Sequence, residues 1–350
     1  MAAIKIDLFG FTTLTEAVNQ MKPVPSFIKD LLFKRHHTNS TKTVMTDIRI
    51  NGEKVAPLVK RGNEALVVGN LGNKATMVEP PQIRLKKYLT PDDLYYTRSA
   101  GDQLFIPGTA PGVDPVQAAR EAKMALEQQD LVDITARTIE LLCCKGLAGS
   151  YSVQQDDGLY SVDFAMPTAN KPSLTGADKW SASTTCKPLK NMRTWKLVAQ
   201  KASGKLPSIA VMSPATWEYF FAADEVQNTL NKLKIDVGSI TTDPSFISVG
   251  VEKKAVLDNV TYYTYGGTYT DSNGVQQQLI PDGNVSLFTP TADFRLEYGA
   301  IHDVKAGVVA AEFFSKDWER EDPSGLWLLV ESHPMPVFNE PASMIFAQVV

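Results

Sequence analysis

The feature that most restricts this chain is a helix signal running from residue 114 to residue 146. Asp114 stands at an N-cap position, Pro115 at N1 and Gln117 at N3, a variant of the capping box that marks a helix start. Ala118, Ala122, Ala125, Leu131, Ile134, Thr138, Leu141 and Leu142 recur at helical spacing, and Lys145-Gly146 reads as a basic last turn followed by a glycine C′ residue. At the usual rise, residues 115–145 span about 46 Å, enough to traverse a whole domain. Such a helix is a structural spine.

What precedes it has too little apolar material to form a core alone. Residues 1–50 hold one amphipathic stretch, Phe27 to Phe33, then the polar His36-His37-Thr38-Asn39-Ser40 and the alternating run Val44 to Ile48. Residues 51–90 read as a two-stranded excursion, with Val55, Pro57, Leu58 and Val59 outbound, Gly69 to Asn73 as the tip, and Ile83 and Leu85 returning. A forty-residue excursion without a core marks a binding loop or a contact with another chain. The expectation is that this front section drapes across a neighbouring copy.

After the spine, Tyr151 to Met166 has strand composition, and residues 167–179 form a linker with Pro, Gly and Asn. A second unit starts near Trp180. It holds a helix ending at Gly204, a buried strand Ile209 to Met212, a helix capped by Ser213-Pro214, a helix from Asp224, and strands within Val260 to Thr270 and Val275 to Leu287. Asn273-Gly274 is a strong hairpin turn. Leu326 to Ser332 and Met344 to Val350 read as buried strands, separated by Pro334, Pro336 and Pro341. The fold class is α+β, and no internal repeat supports a solenoid or propeller.

Hydrophobic residues make up 43% of the 350 and charged residues 21%, which is globular composition. The net charge of −4 conceals an asymmetry. Residues 1–90 carry 14 Lys and Arg against 7 Asp and Glu, which leaves 21 against 32 in the remainder. A nucleic-acid-binding arm is the rival reading of this basic front. Glu53, Glu64 and Glu79 interleave with the cations and no dense Lys/Arg run occurs, so attraction between copies is preferred. No apolar run approaches the roughly 18 residues of a membrane span, and the N-terminal residues lack a basic segment followed by an apolar stretch, so export and membrane insertion are not expected.

Each candidate for chemistry has a stronger structural reading. His36-His37 lacks further ligands at metal spacing and reads as a solvated turn. The adjacent Cys143-Cys144 pair continues the apolar face of the spine and offers no partner base. Gly69 to Lys74 lacks the phosphate-loop register, His302 and His333 are isolated, and GxSxG, HExxH and GxGxxG are absent. No catalytic residue, cofactor or metal is expected.

The order of landmarks along the chain resembles the major head proteins of lambda-like phages. The N-terminal Phe27 to Phe33, the run Val44 to Ile48 followed by Ala56-Pro57-Leu58-Val59 and Gly62, the long helix and Trp180-Ser181 all take part. The latter half carries most weight: Asn273-Gly274-Val275, Leu279 to Gly283, Tyr298-Gly299 with Ile301 and Asp303, Trp318, Asp322-Pro323, and Glu331 to Val337. The resemblance implies the Hong Kong 97-type capsid fold, with an N-terminal arm at 1–50, an E-loop at 51–90 and a P-domain at 91–180 that includes the spine at 115–145. It places an A-domain at 181–310 and C-terminal strands at 311–350 that return to the P-domain.

By that resemblance the chain is the major capsid protein of a tailed double-stranded DNA phage, forming the pentamers and hexamers of an icosahedral head. It implies location in the virion, assembly in the host cytoplasm, and enclosure of DNA without sequence-specific binding. It further implies a separate scaffolding protein, because the long acidic N-terminal segment of some relatives is missing, together with a portal and room for a decoration protein. The expected contact on a neighbour's P-domain uses Val55, Leu58, Val67 and Val68 for apolar burial and Lys60, Arg61, Lys74, Arg84, Lys86 and Lys87 for register. The alternatives are a soluble α+β hydrolase-like enzyme and an encapsulin-like shell.

Overall fold

The computed structural model describes residues 11–21, 26–49, 73–95, 115–155, 158–233, 250–271 and 274–350. Within it the spine helix runs Pro115–Gly146, as its start signal and spacing require. The buried face combines Leu131, Val132, Thr135, Ala136, Ile139, Leu142 and Cys143. Ile134, expected on that face, is 38% exposed. Several phases of this helix carry apolar residues, so periodicity alone did not single out the one that is covered.

Gly146 serves a different purpose from the one its position suggests. It ends the helix as a helical residue, and the first left-handed glycine comes later, at Gly149 with φ 77°. A Cβ on Gly146 would lie 2.4 Å from Cε2 of Phe338, so this glycine is needed for close approach. Phe338 packs at ring distances of 5.0–5.2 Å against Phe33 of the arm, Phe164 just after the strand Gly158–Asp163, and Phe294 of its partner strand. Aromatic edge-to-face contacts of this kind add about 0.5–1.5 kcal/mol each beyond area burial.

The two helices of the front section pack on their own chain, against the expectation that this section drapes across a neighbour. In the helix Phe27–Leu32, Phe27, Ile28 and Leu32 are buried, together with Phe33 beyond it. Phe27 meets Tyr263 and Tyr265 at 5.3 and 5.6 Å. The helix Phe11–Gln20 lies along the strand Phe314–Arg320. There Thr15 Oγ1 donates to the Ser315 carbonyl and accepts from the Ser315 amide, both at 3.2 Å, while Asn19 makes the same pair of bonds with Phe313 at 2.8 and 3.2 Å. Two side chains one helical turn apart thus occupy backbone groups of an edge strand that would otherwise be open to another chain.

Three larger sheets organise the rest. The first orders Phe314–Arg320, Gly325–Ser332 and Ile83–Leu89, all antiparallel, beside the spine. Ile83 and Leu85 pair with Ser332 and Val330 of the long strand Gly325–Ser332, which offers a full ladder close to the spine, while the outbound run Val55 to Val59 lies outside the described residues. The second sheet joins Arg35–Thr38 in parallel to Phe294–Tyr298, whose other side pairs with Pro334–Phe338. His36-His37 thus lies in a strand and not in a turn. Pro334 and Pro336 likewise fall within a strand, which is possible because it lies at the edge of its sheet, where an outward position needs no N–H.

The third sheet has five strands, in the order Ile345–Gln348, Asn284–Phe288, Ile209–Met212, Val260–Tyr265 and Val251–Leu257. Helices Pro188–Ser203, Pro214–Ala222 and Asp224–Leu233 accompany it, around a second core with Trp180, Trp195, Trp217 and Phe220. The expected caps are present: Gly204 is left-handed at φ 70°, and Ser213 accepts from the Thr216 amide. Gly274, at φ 78°, turns the hairpin between Thr268–Thr270 and Gln276–Gln278.

The last strand departs from the expected return to the spine unit, since Ile345–Gln348 enters the five-stranded sheet. The linker is fastened to it as well. The Leu174 amide donates to Gln348 and the Trp180 amide to Val349, at 2.9 and 2.8 Å.

Replacing Gly146 with alanine will force Phe338 from its place. We expect a loss of about 1–3 kcal/mol, in the range of overpacked cores, read as a lower urea midpoint with an unchanged m-value.

Candidate assembly surfaces

Strands Val44–Arg49 and Asn73–Val78 form a two-stranded antiparallel ribbon. Alternation along Val44–Arg49 makes its faces unlike. Val44 and Thr46 point inward and are buried, whereas Met45 and its direct cross-strand partner Met77 are 55% and 67% exposed. A sulfur-bearing apolar pair side by side on an open ribbon is a surface suited to adaptable contact.

The base of the ribbon is held firmly. Lys42 pairs with Glu79 at 2.6 Å, the Ala300 amide donates to the Thr41 carbonyl at 3.0 Å, and the Asn39 amide donates to Tyr298 at 2.8 Å. Gly299 lets Pro80 approach, because a Cβ there would lie 3.0 Å from the proline ring. The ribbon therefore projects from a fixed root.

Of the expected contact residues, Val55, Leu58, Lys60, Arg61, Val67 and Val68 lie outside the described residues. The Lys74 backbone pairs with Ile48 in the ribbon, and Asn73, expected in the tip, pairs with Arg49. Arg84, Lys86 and Lys87 belong to the sheet beside the spine, and each has a partner in its own chain. Arg84 Nε reaches Glu331 at 3.2 Å, Lys86 lies 4.9 Å above the Trp327 ring, and Lys87 pairs with Glu127 and, at 3.3 Å, with Asp130. Hydrogen bonding to Glu127 holds Lys87 above its ordinary pKa. Burial pushes Glu127 up, but bonds from Lys123 and Lys87 overcome this and leave it below the usual carboxylate range. The basic front and acidic body thus meet within one subunit at these positions.

Glu331 is the most enclosed carboxylate of this group. Gln82 donates to its Oε1 at 2.6 Å, His333 Nε2 lies 3.1 Å from the same oxygen, and the other ring nitrogen of His333 lies 3.1 Å from the Ala300 carbonyl. These bonds join the return strand of the excursion to the root of the ribbon. Sequence reasoning found His333 isolated and gave Glu331 no role in the site, because Gln82, Arg84 and Ala300, which complete the cluster, are remote in the chain. The adjacent Cys143 and Cys144 are buried, and burial holds both thiols well above their ordinary values, which suits the expected packing role.

The architecture defines a class. The capsid protein of an Escherichia coli CFT073 prophage superposes with a TM-score of 0.72 at 18% identity, over 97% of this chain and 99% of the other. The capsid of Ralstonia phage GP4 gives 0.50 at 12% identity, over 95% and 94%. This is the Hong Kong 97-type capsid fold. The chain is also 24% identical to the major capsid protein of Enterobacteria phage P21, over 98% of this chain and 99% of that one. Residues 10–349 match the family described as phage major capsid protein E, and the chain belongs to that family. A soluble enzyme and an encapsulin-like shell are accordingly not favoured.

Burial acts to raise the Glu331 pKa, but the bonds from His333 and Gln82, with Arg84, hold it below the ordinary value of 4.5. Its stabilisation is therefore complete above about pH 4.5 and is lost as the pH falls through the lower folded-state value. Glu331→Gln should cost about 1–3 kcal/mol at pH 7. The gap between variant and wild type in urea denaturation should narrow below pH 4.5; a gap that widens there would refute this account.

Proposed function

We propose that this phage major capsid protein builds its shell by carrying the excursion of one subunit onto the body of the next. The observation that carries this reading is the ribbon 44–49 and 73–78, rooted by the contacts of Lys42, Thr41 and Pro80 and presenting Met45 and Met77 on its outer face. Val55, Leu58, Val67 and Val68 extend the apolar surface, while Lys60, Arg61 and Lys74 guide register against an acidic neighbour. Arg84, Lys86 and Lys87 act one step back, by fixing the return strand to the spine. The named segments follow the same scheme: arm 1–50, E-loop 51–90, P-domain 91–180, A-domain 181–310, and C-terminal strands 311–350.

Repetition supplies durability. A contact of modest strength, closed around pentamers and hexamers of an icosahedral head, gains from every neighbour already in place. Exposed ion pairs give only about 0–1 kcal/mol, so apolar burial must contribute most of each contact. The head so formed would enclose double-stranded DNA through geometry, without reading its sequence, and would assemble in the host cytoplasm with a scaffolding protein, a portal and room for a decoration protein. The work is structural and not catalytic.

Two variants test this. Replacing residues 52–71 with a short Gly/Ser link leaves both ribbon strands and the Ile83–Leu89 ladder in place. Far-ultraviolet circular dichroism should remain that of the folded subunit, while size-exclusion chromatography and negative-stain microscopy show no closed shells. Met45→Asp with Met77→Asp should weaken assembly with unchanged subunit stability. Normal shells from both variants would refute the proposal.

A further inference from the structure

An open groove lies where the end of the spine helix meets two ribbons, Ser150–Gln155 with Gly158–Asp163 and Thr268–Thr270 with Gln276–Gln278. Leu141, Tyr151, Leu279 and Phe346 give it an apolar lining, and Lys145 and Asp282 add one charge of each sign. Each ribbon also turns a strand edge towards it. In antiparallel pairing, opposed residues alternate between those that bond each other and those whose N–H and C=O point away. The Phe164 amide donates to Gly149 at 3.0 Å, so Tyr151 bonds across its ribbon and the backbone groups of Ser150 and Ser152 point outward. Likewise Leu279 donates to Gly267 and Asp271 to Val275, both at 2.9 Å, so Gln277 bonds Tyr269 and the backbone groups of Gln276 and Gln278 point outward. All four of these residues line the groove, and among the described residues neither edge has a strand partner. An edge of this kind is completed by an extended segment whose main chain takes up the ladder.

We infer that this groove receives residues 4–9 of a second copy of the chain as an added strand. The segment Ile4-Lys5-Ile6-Asp7-Leu8-Phe9 lies outside the described residues, and its sequence has strand alternation, with Ile4, Ile6 and Leu8 at even positions and Lys5 and Asp7 between them. Its apolar positions suit the apolar lining. Its two charges suit Lys145 and Asp282, neither of which forms an ion pair among the described residues. The excursion 51–72 is a poorer match, because Pro57 interrupts it and its apolar residues cluster without alternation.

Within one subunit the segment falls short. Thr15 is fastened to Ser315, and Gln128 of the spine reaches the same residue at 3.3 Å, so this point lies about 20 Å along the spine from Leu141. The sheet advances from Arg320 and Gly325 towards Phe338 at the end of the spine, and the helix Phe11–Gln20 runs the same way, from Ser315 to Phe313. Phe11 therefore lies a turn farther back. From Phe11 to Ile6 an extended chain covers at most about 18 Å, so a second copy must supply the strand. This contact is distinct from the one made by the excursion, and either can fail without the other.

Two measurements test this. The first adds a fluorescein-labelled peptide of residues 1–10 to the unassembled full-length protein and follows fluorescence anisotropy, where saturable binding is expected. Ile6→Asp in the peptide should weaken binding by about ten-fold or more, through lost apolar burial. Gln276→Pro in the protein should weaken it by about three-fold or more, because proline removes one outward N–H and leaves the bonds between Tyr269 and Gln277 in place. No saturable binding, or unchanged affinity with either variant, overturns the proposal. The peptide variant needs no change in the protein, so it decides even if the proline disturbs the ribbon. The second measurement irradiates assembled shells that carry Phe9→p-benzoylphenylalanine and maps the cross-links by mass spectrometry. Covalent dimers joined within residues 141–152 or 269–282 are expected. Cross-links inside one chain, or to the excursion or any other surface, overturn the proposal.

Discussion

The contact between Phe338 and the bare backbone of Gly146 fixes how the end of the spine meets the arm and the three-stranded sheet that holds Phe338. Phe338 draws the strand Pro334–Phe338 onto the end of the spine helix, and with it the partner strand Phe294–Tyr298 and the parallel strand Arg35–Thr38. Phe33 and Phe164 close around the same ring, so the arm and the antiparallel strand pair Ser150–Gln155 and Gly158–Asp163 after the spine are anchored at one point. Packing at crystal-like density leaves no slack for an added methyl group there. Residues more than 300 apart in the sequence are therefore fixed by one void that only glycine leaves.

Opposite charges in the two parts of the chain are used first within the subunit. Arg35 with Asp293, Arg84 with Glu331, and Lys87 with Glu127 tie the basic front to the acidic body, while Lys42 with Glu79 closes a pair within the front itself. Most of these cations are well exposed, so each pair contributes little energy and mainly selects register. The consequence is a rigid root from which the ribbon projects. A shell protein benefits from that division, because a mobile root would add an ordering cost at every contact.

Edge strands explain how such a subunit can be both sticky and orderly. Thr15 and Asn19 cover part of the Phe314–Arg320 edge with side-chain hydrogen bonds, which removes one template for wrong pairing. The ribbon keeps its apolar pair Met45 and Met77 in the open. In the proposed assembly this open ribbon face meets the neighbour.

The sequence by itself determined the local elements. The spine, the caps at Gly204 and Ser213, the buried strand Ile209–Met212 and the hairpin turn at Gly274 follow from short-range rules of capping, periodicity and backbone permissiveness, and the ordered landmarks of residues 273–350 pointed to the fold family. Only the tertiary structure decided what those elements meet. It placed the arm on its own chain, sent Ile345–Gln348 into the five-stranded sheet, paired Ile83–Leu89 with Gly325–Ser332, and brought Glu140 to Ile28 and Glu331 to Gln82 and His333. Propensity acts over a few residues, whereas these partnerships depend on which of several apolar faces and edges can be covered at once, and that is settled only when the whole chain packs.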